Sequence, residues 1–137
     1  MEIEEELIID TDVLIALVKD RLLDKFLLKF YGYITIITLY EYVRGRAYFG
    51  HPIEEEKKYI ENMFDILNIN NEVAKKICEI YVDLRKRGEL ISDPDLINAA
   101  IAITNEIPLA TNNLKHYENL QRYKLKIIPW NALKKVL

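Results

Sequence analysis

Asp10, Glu41 and Asp95 are the side chains from which chemistry can be built in this 137-residue sequence. Asp10 directly follows the apolar run Leu7-Ile8-Ile9. A carboxylate placed straight after a buried strand needs a hydrogen-bond partner or a cation. Its ordinary explanation is an N-cap for the next helix. Glu41 stands three residues after Thr38, so T-x-x-E reads as a capping box. Its neighbours Leu39, Tyr40, Tyr42 and Val43 are apolar or aromatic, however, and an acid among them can face a pocket rather than water. Asp93 and Asp95 bracket Pro94 in ISDPDLINAA. Capping by Ser92 or Asp93 explains one acid well and leaves open why Asp95 begins the most apolar helix of the chain.

A polar run, TNNLKHY over residues 111–117, is either an Asn-rich surface turn or a loop that brings Asn112, Asn113, Lys115 or His116 to the same place. His51 and His116 lack the paired spacing of a zinc site and read as surface residues. Converging carboxylates repel unless a cation lies between them. Oxygen-only ligands suit Mg²⁺ or Mn²⁺, which retain waters and meet substrate phosphates. A cation held in this way can activate water and offset charge during phosphoryl displacement. No Gly-rich phosphate loop, plausible Ser-His-Asp order or activated cysteine competes, which leaves metal-assisted phosphodiester hydrolysis.

The elements that must position these acids alternate. A strand at Leu7–Ile9 leads to a helix near Asp12–Lys19, and residues 20–30 give a second helix ended by Gly32. Tyr33–Ile37 reads as a strand, and Thr38 opens a helix that frays near Gly45 and stops at Gly50. Pro52 and Glu54–Glu56 suit a first helical turn, and Ile66–Ile69 a short strand. Asn71 caps a long amphipathic helix ended by Gly88, and Ser92–Thr104 follows as a helix apolar nearly all round. Pro108–Ala110 and Leu125–Ile128 are short strands, and a short helix at Trp130 comes last. This alternation predicts an α/β fold with a mostly parallel sheet. Each acid lies at a strand-to-helix transition or a helix start, and such places share the carboxyl edge of a parallel sheet, where ligands bind.

The totals narrow the setting. The length and the absence of repeats or a Pro/Gly/Ser linker predict one domain over residues 1–137. One cysteine, Cys78, excludes an internal disulfide framework and suits a reducing cytoplasm. The start MEIEEE lacks the basic region of a signal peptide, and no apolar run approaches a membrane span. The net charge of −3 disfavours nonspecific nucleic-acid binding, but six basic residues against one acid from Leu114 onward leave a local phosphate-binding face open.

The sequence resembles PIN domains, in particular the VapC toxins of toxin–antitoxin pairs. The resemblance is carried in order by LIIDTDVLIAL, ITLYEYVRG, DLINAAIA and LATNNLKHYENL. It implies a three-layer α/β/α fold with a central, mostly parallel sheet and an acidic pocket at its carboxyl edge. It implies a Mg²⁺- or Mn²⁺-dependent endoribonuclease, a homodimer, and a small cognate antitoxin that blocks the pocket. Asp10, Glu41 and Asp95 match the three principal acids, Asn113 the fourth position, and Thr11 a supporting hydroxyl residue. Arg44, Arg46 and Lys115 flank these segments and are candidate RNA-backbone contacts, or solvated charges.

Three departures stand out. Asn113 is neutral where the family often has Asp, Asp12 replaces a small neutral residue, and His116 replaces the Asp of the closing pair. Asp12 and Asp93 are extra acids able to restore part of the missing charge. The alternative function is a catalytically weak PIN scaffold that binds RNA or protein. A further one is a haloacid-dehalogenase-like phosphatase, suggested by D-T-D but opposed by Val13 and Leu14 where that family has small residues.

Overall fold

Period-two burial organises the central strand. Leu7 and Ile9 point to one face and Ile8 to the other, and all three are essentially inaccessible. A strand buried on both faces needs a helical layer on each side. The computed structural model describes residues 5–137 and has that architecture; residues 1–4, with the acids Glu2 and Glu4, lie outside the described residues.

In chain order the strands are β1 (Glu5–Ile9), β2 (Phe30–Thr35), β3 (Asp65–Leu67), β4 (Leu109–Thr111) and β5 (Ile127–Pro129). They form one sheet in the order β3-β2-β1-β4-β5, and every pairing is parallel. The helices are α1 (Thr11–Lys19), α2 (Leu23–Lys29), α3 (Ile36–Tyr48), α4 (Ile53–Glu61), α5 (Asn71–Lys86), α6 (Asp93–Asn105), α7 (Leu114–Tyr117) and α8 (Trp130–Val136). Val13, Leu14, Leu17, Phe26, Tyr42 and Ile60 cover one face with Leu7, Ile9 and Ile34. Ile80, Leu84, Leu96, Ala99 and Tyr117 cover the other with Ile8 and Leu109. The fold is thus the expected three-layer α/β/α, with a fully parallel sheet. Strand order reverses between β1 and β4, and the crevice at such a reversal is the usual ligand position in open α/β sheets.

Several local boundaries differ from the sequence reading. Gly32 does not end a helix: it lies inside β2, opposite Leu7. A Cβ at Gly32 would stand 2.7 Å from the Phe64 ring and 2.9 Å from Phe26, so β2 passes too close to two aromatic rings for any side chain. The second helix begins at Leu23 and stops at Lys29 because Phe30 already pairs with Glu5. Asn70 rather than Asn71 caps α5, with its side chain accepting from the Val73 N–H at 2.9 Å. No fraying occurs at Gly45; α3 continues to Tyr48.

Candidate acidic site

Position along α3 decides what Glu41 is for. Strand β2 ends at Thr35 and α3 starts at Ile36, two residues before the expected start. Thr35 is the N-cap: its hydroxyl oxygen accepts from the Thr38 N–H at 3.2 Å. Thr38 therefore lies inside the helix, and the Thr38–Glu41 capping box does not exist. Three residues apart on one helix, Thr38 and Glu41 share a face. That face meets the first turn of α1, where the Thr11 hydroxyl donates to Glu41 Oε1 at 2.8 Å and lies 3.1 Å from the Thr38 hydroxyl.

Asp10 directly follows β1 and is the N-cap of α1, so its capping explanation holds, and it stands at the sheet's reversal. One oxygen accepts from the Thr11 N–H at 2.9 Å and the other from the Thr111 hydroxyl at 2.8 Å. Asp10 is 6% exposed, and among the described residues no basic side chain pairs with it. Burial first, and the nearby charge of Asp12 second, push its pKa up to about 6 against the Thr111 and Thr11 hydrogen bonds; Asp95 adds a further upward push. Asp12 accepts from the Val13 N–H at 2.8 Å and the Asn112 N–H at 3.0 Å. It thereby ties the first turn of α1 to the loop after β4. Burial also raises the Asp12 pKa.

Asp95 lies in the first turn of α6, whose N-cap is Ser92. Its Oδ1 accepts from the Tyr117 hydroxyl at 3.1 Å; its Oδ2 accepts from the Ser92 hydroxyl at 2.9 Å and lies 3.1 Å from His116 Nδ1. His116 is exposed, as expected, yet it touches the site, which its isolation in sequence did not suggest. The Thr111 hydroxyl accepts from the Asn113 N–H at 3.0 Å. Asn113 occupies the N-cap position of α7 without capping it through its side chain. Asp93 is exposed at the start of α6 and forms no side-chain hydrogen bond to the other acids.

Of the basic candidates, Lys115 lines a cleft with Asp95. Arg46 borders a groove with Glu41, but its guanidinium donates to Glu56 at 3.2 Å. Arg44 lies over the Tyr40 ring, 4.7 Å from its centroid, and donates to the Tyr40 hydroxyl at 3.0 Å.

A buried polar layer supports the acids from beneath, and the sequence reading did not find it. Thr35 Oγ1 donates to Asn98 Oδ1 at 2.6 Å, where both residues are fully or nearly fully buried. Asn98 lies near the Tyr117 oxygen, and the Tyr117 hydroxyl donates onward to Asp95 at 3.1 Å. Burial, reinforced by the charges of Asp10 and Asp95, drives the Tyr117 pKa up, so the phenol remains a donor. The available signal was Asn98 itself, a lone amide in the otherwise apolar LINAAIAI and one helical turn beyond Asp95.

Glu41, Asp10 and Asp95 thus reach the carboxyl edge from α3, β1 and α6. Their all-oxygen chemistry and the unneutralised burial of Asp10 fit a hard divalent cation. No three His, Cys, Asp or Glu side chains among the described residues stand in a ready ligating arrangement. Asp95 instead directs both oxygens to Tyr117, Ser92 and His116.

Residues 7–120 match the PIN domain. The chain is 38% identical over 126 residues to Ribonuclease VapC1 of Methanocaldococcus jannaschii, covering 90% of this chain and 88% of the relative. It is 33% identical over 109 residues to a VapC ribonuclease of Pyrococcus furiosus, covering 80% and 73% respectively. The structure is similar to VapBC-1 from nontypeable Haemophilus influenzae, with a TM-score of 0.76 at 21% identity, covering 92% of this chain and 98% of that one.

Proposed function

This chain belongs to the PIN-domain family, and from that membership we propose that it is a divalent-metal-dependent endoribonuclease, the toxin of a VapBC-type pair. The observation that carries the reading is Asp10: a carboxylate 6% exposed, at the strand-order reversal, with acids nearby and no basic partner among the described residues. Such a group calls for a cation. Asp10, Glu41 and Asp95 hold Mg²⁺ or Mn²⁺, with Asn113 or a water it positions completing the site. When bound, the ion supplies the charge that acidifies a water and offsets the developing charge on a scissile phosphodiester.

The protein's own groups orient this site. Thr11 fixes Glu41, Thr111 fixes Asp10, and Tyr117 with Ser92 fixes Asp95. Such outer hydrogen bonds set the direction of ligating carboxylates. Asp12 keeps the loop after β4 against α1. Lys115 contacts an RNA phosphate; Arg44 and Arg46 are weaker candidates because each is already engaged. A single domain, a cytoplasmic setting, a homodimer and a small antitoxin complete the reading, the antitoxin being supported by the likeness to a VapBC assembly. No helix among the described residues is long and apolar enough to cross a membrane.

The second reading, an RNA-binding module without cleavage, is favoured by one observation: both Asp95 oxygens already have protein partners. The two readings separate when antitoxin-free protein is incubated with single-stranded and structured RNA in Mg²⁺ or Mn²⁺. Cleavage abolished by EDTA supports the nuclease. Tight RNA binding with no cleavage in either ion supports the binding module.

A further inference from the structure

A cleft of about 310 Å³ opens beside Asp95, and most of its wall has no part in the site described above. That volume is at the small end of ligand pockets, roughly 300–1,000 Å³. Leu90, Ile91 and Leu120 give it an apolar side, and Leu90 is 83% exposed on the loop between α5 and α6. Glu89, Lys115 and Asn119 give it a polar side. Proteins hold unpaired bases by stacking the flat face on aromatic, guanidinium or apolar side chains and hydrogen-bonding the edge, and this cleft offers the apolar version of that arrangement.

Glu89 defines what is missing. Its Oε1 accepts from Arg122 at 3.0 Å, while its Oε2 is occluded from solvent and meets no donor among the described residues. An ionised carboxylate only accepts, so a complementary group must donate. Exocyclic amino groups of nucleobases do this, as when Glu or Asp accepts from the cytosine amino group. Uracil has a carbonyl oxygen at the position of the cytosine amino group, which places an acceptor against a carboxylate aimed there, and its ring N–H is flanked by carbonyls that repel the carboxylate.

We propose that this cleft receives one unpaired nucleobase beside the scissile phosphate, and that Glu89, turning its unpartnered oxygen from its occluded position toward the cleft it lines, selects an amino-bearing base over uracil. Lys115 lines the cleft together with Asp95 and takes the adjoining phosphate. The proposal rests on the endoribonuclease reading for its position next to the reaction, but base-selective binding is measurable without turnover.

The test is fluorescence anisotropy of labelled hexacytidylate and hexauridylate with wild-type protein in EDTA, alongside a cleavage assay in Mn²⁺. The two pyrimidines differ on one edge: cytosine has an amino donor at C4 and an acceptor at N3, and uracil has a carbonyl acceptor at C4 and a donor N–H at N3. Hexacytidylate is expected to bind about tenfold more tightly. Glu89→Gln, whose amide both donates and accepts, narrows the ratio to within twofold. Asn119→Trp fills the cleft from an exposed position and weakens hexacytidylate about tenfold, with an unchanged thermal melt. Equal binding of the two oligonucleotides by wild type overturns the proposal. So does a tenfold ratio that persists in folded Glu89→Gln; if that variant does not fold, unaltered binding by Asn119→Trp overturns it instead. Selective binding without Mn²⁺-dependent cleavage supports the cleft and counts against the nuclease, whereas cleavage without selectivity does the reverse.

Discussion

The Thr11 hydroxyl donates to Glu41 Oε1 at 2.8 Å, and this contact joins the first turn of α1 to α3 across 30 residues of sequence. It makes Glu41 part of the group at the end of β1 rather than a cap for its own helix. Removing the donor while keeping the shape isolates that role. Thr11→Val is expected to lower Mn²⁺ affinity about 10- to 100-fold, the usual cost of losing an outer partner of a metal ligand. The loss of stability is about 1 kcal/mol, because one hydrogen bond is removed from a partly buried position. Calorimetric Mn²⁺ titration and urea unfolding measure the two effects separately.

Asp10 gives the metal-free protein a defined pH dependence. Its pKa rises from 3.8 to about 6 on folding, so between these values the native state holds a proton that the unfolded state releases. The stabilising contribution is full below the unfolded value and is lost as pH rises through the folded one. Relative to Asp10→Asn, metal-free wild type is expected to lose up to about 3 kcal/mol between about pH 4 and pH 7. Mn²⁺ affinity runs the other way and increases as pH rises through 6, because the proton competes with the cation. Urea unfolding of both proteins across this range, with chelator present, tests the first statement; Mn²⁺ titrations at the same pH values test the second.

Tyr117→Phe removes a single oxygen at the meeting point of the buried layer. Asp95 Oδ1 loses its tyrosine donor, and the nearby Asn98, itself 2% exposed, loses a polar neighbour. The expected cost is about 1–3 kcal/mol for the groups left unsatisfied. Cleavage falls together with stability, since Asp95 keeps only Ser92 and His116 as partners. Thermal unfolding and cleavage rate on one substrate measure the pair of effects.

Gly32→Ala probes packing alone. The added methyl meets the Phe64 and Phe26 rings at 2.7 and 2.9 Å. Forcing a carbon into such a contact costs about 1–3 kcal/mol. Urea unfolding is expected to show this loss, while folded Gly32→Ala protein retains Mn²⁺ affinity, because Gly32 stands three residues before the carboxyl end of β2.

How much of this was legible in the sequence follows from which signals are local. The Leu7–Ile9 run with Asp10 behind it identified the central strand and its end because both depend on neighbours in sequence. The beginning of α3 was ambiguous for a physical reason: Thr35 and Thr38 each offer a capping hydroxyl, three residues before Thr38 and Glu41 respectively. The sheet decides between them, since Thr35 pairs with Leu67 and the strand can end there. Gly32 read as a helix stop because its actual constraint, two rings from α2 and the segment before β3, is tertiary. Asn98 and Tyr117 were hidden for the same reason: they are 19 residues apart and meet only when α7 folds over α6. His116 looked solitary because Asp95 reaches it through space.

The most direct test of the central claim is the single-turnover cleavage rate of Asp10→Asn against wild type, both antitoxin-free, folded and saturated with RNA at one Mn²⁺ concentration. The proposed role of Asp10 predicts a fall of at least about 100-fold, comparable to the loss of a principal electrostatic group in an active site, with the thermal melt of the metal-free variant equal to or above that of wild type. A rate within twofold of wild type would contradict a catalytic site organised on Asp10.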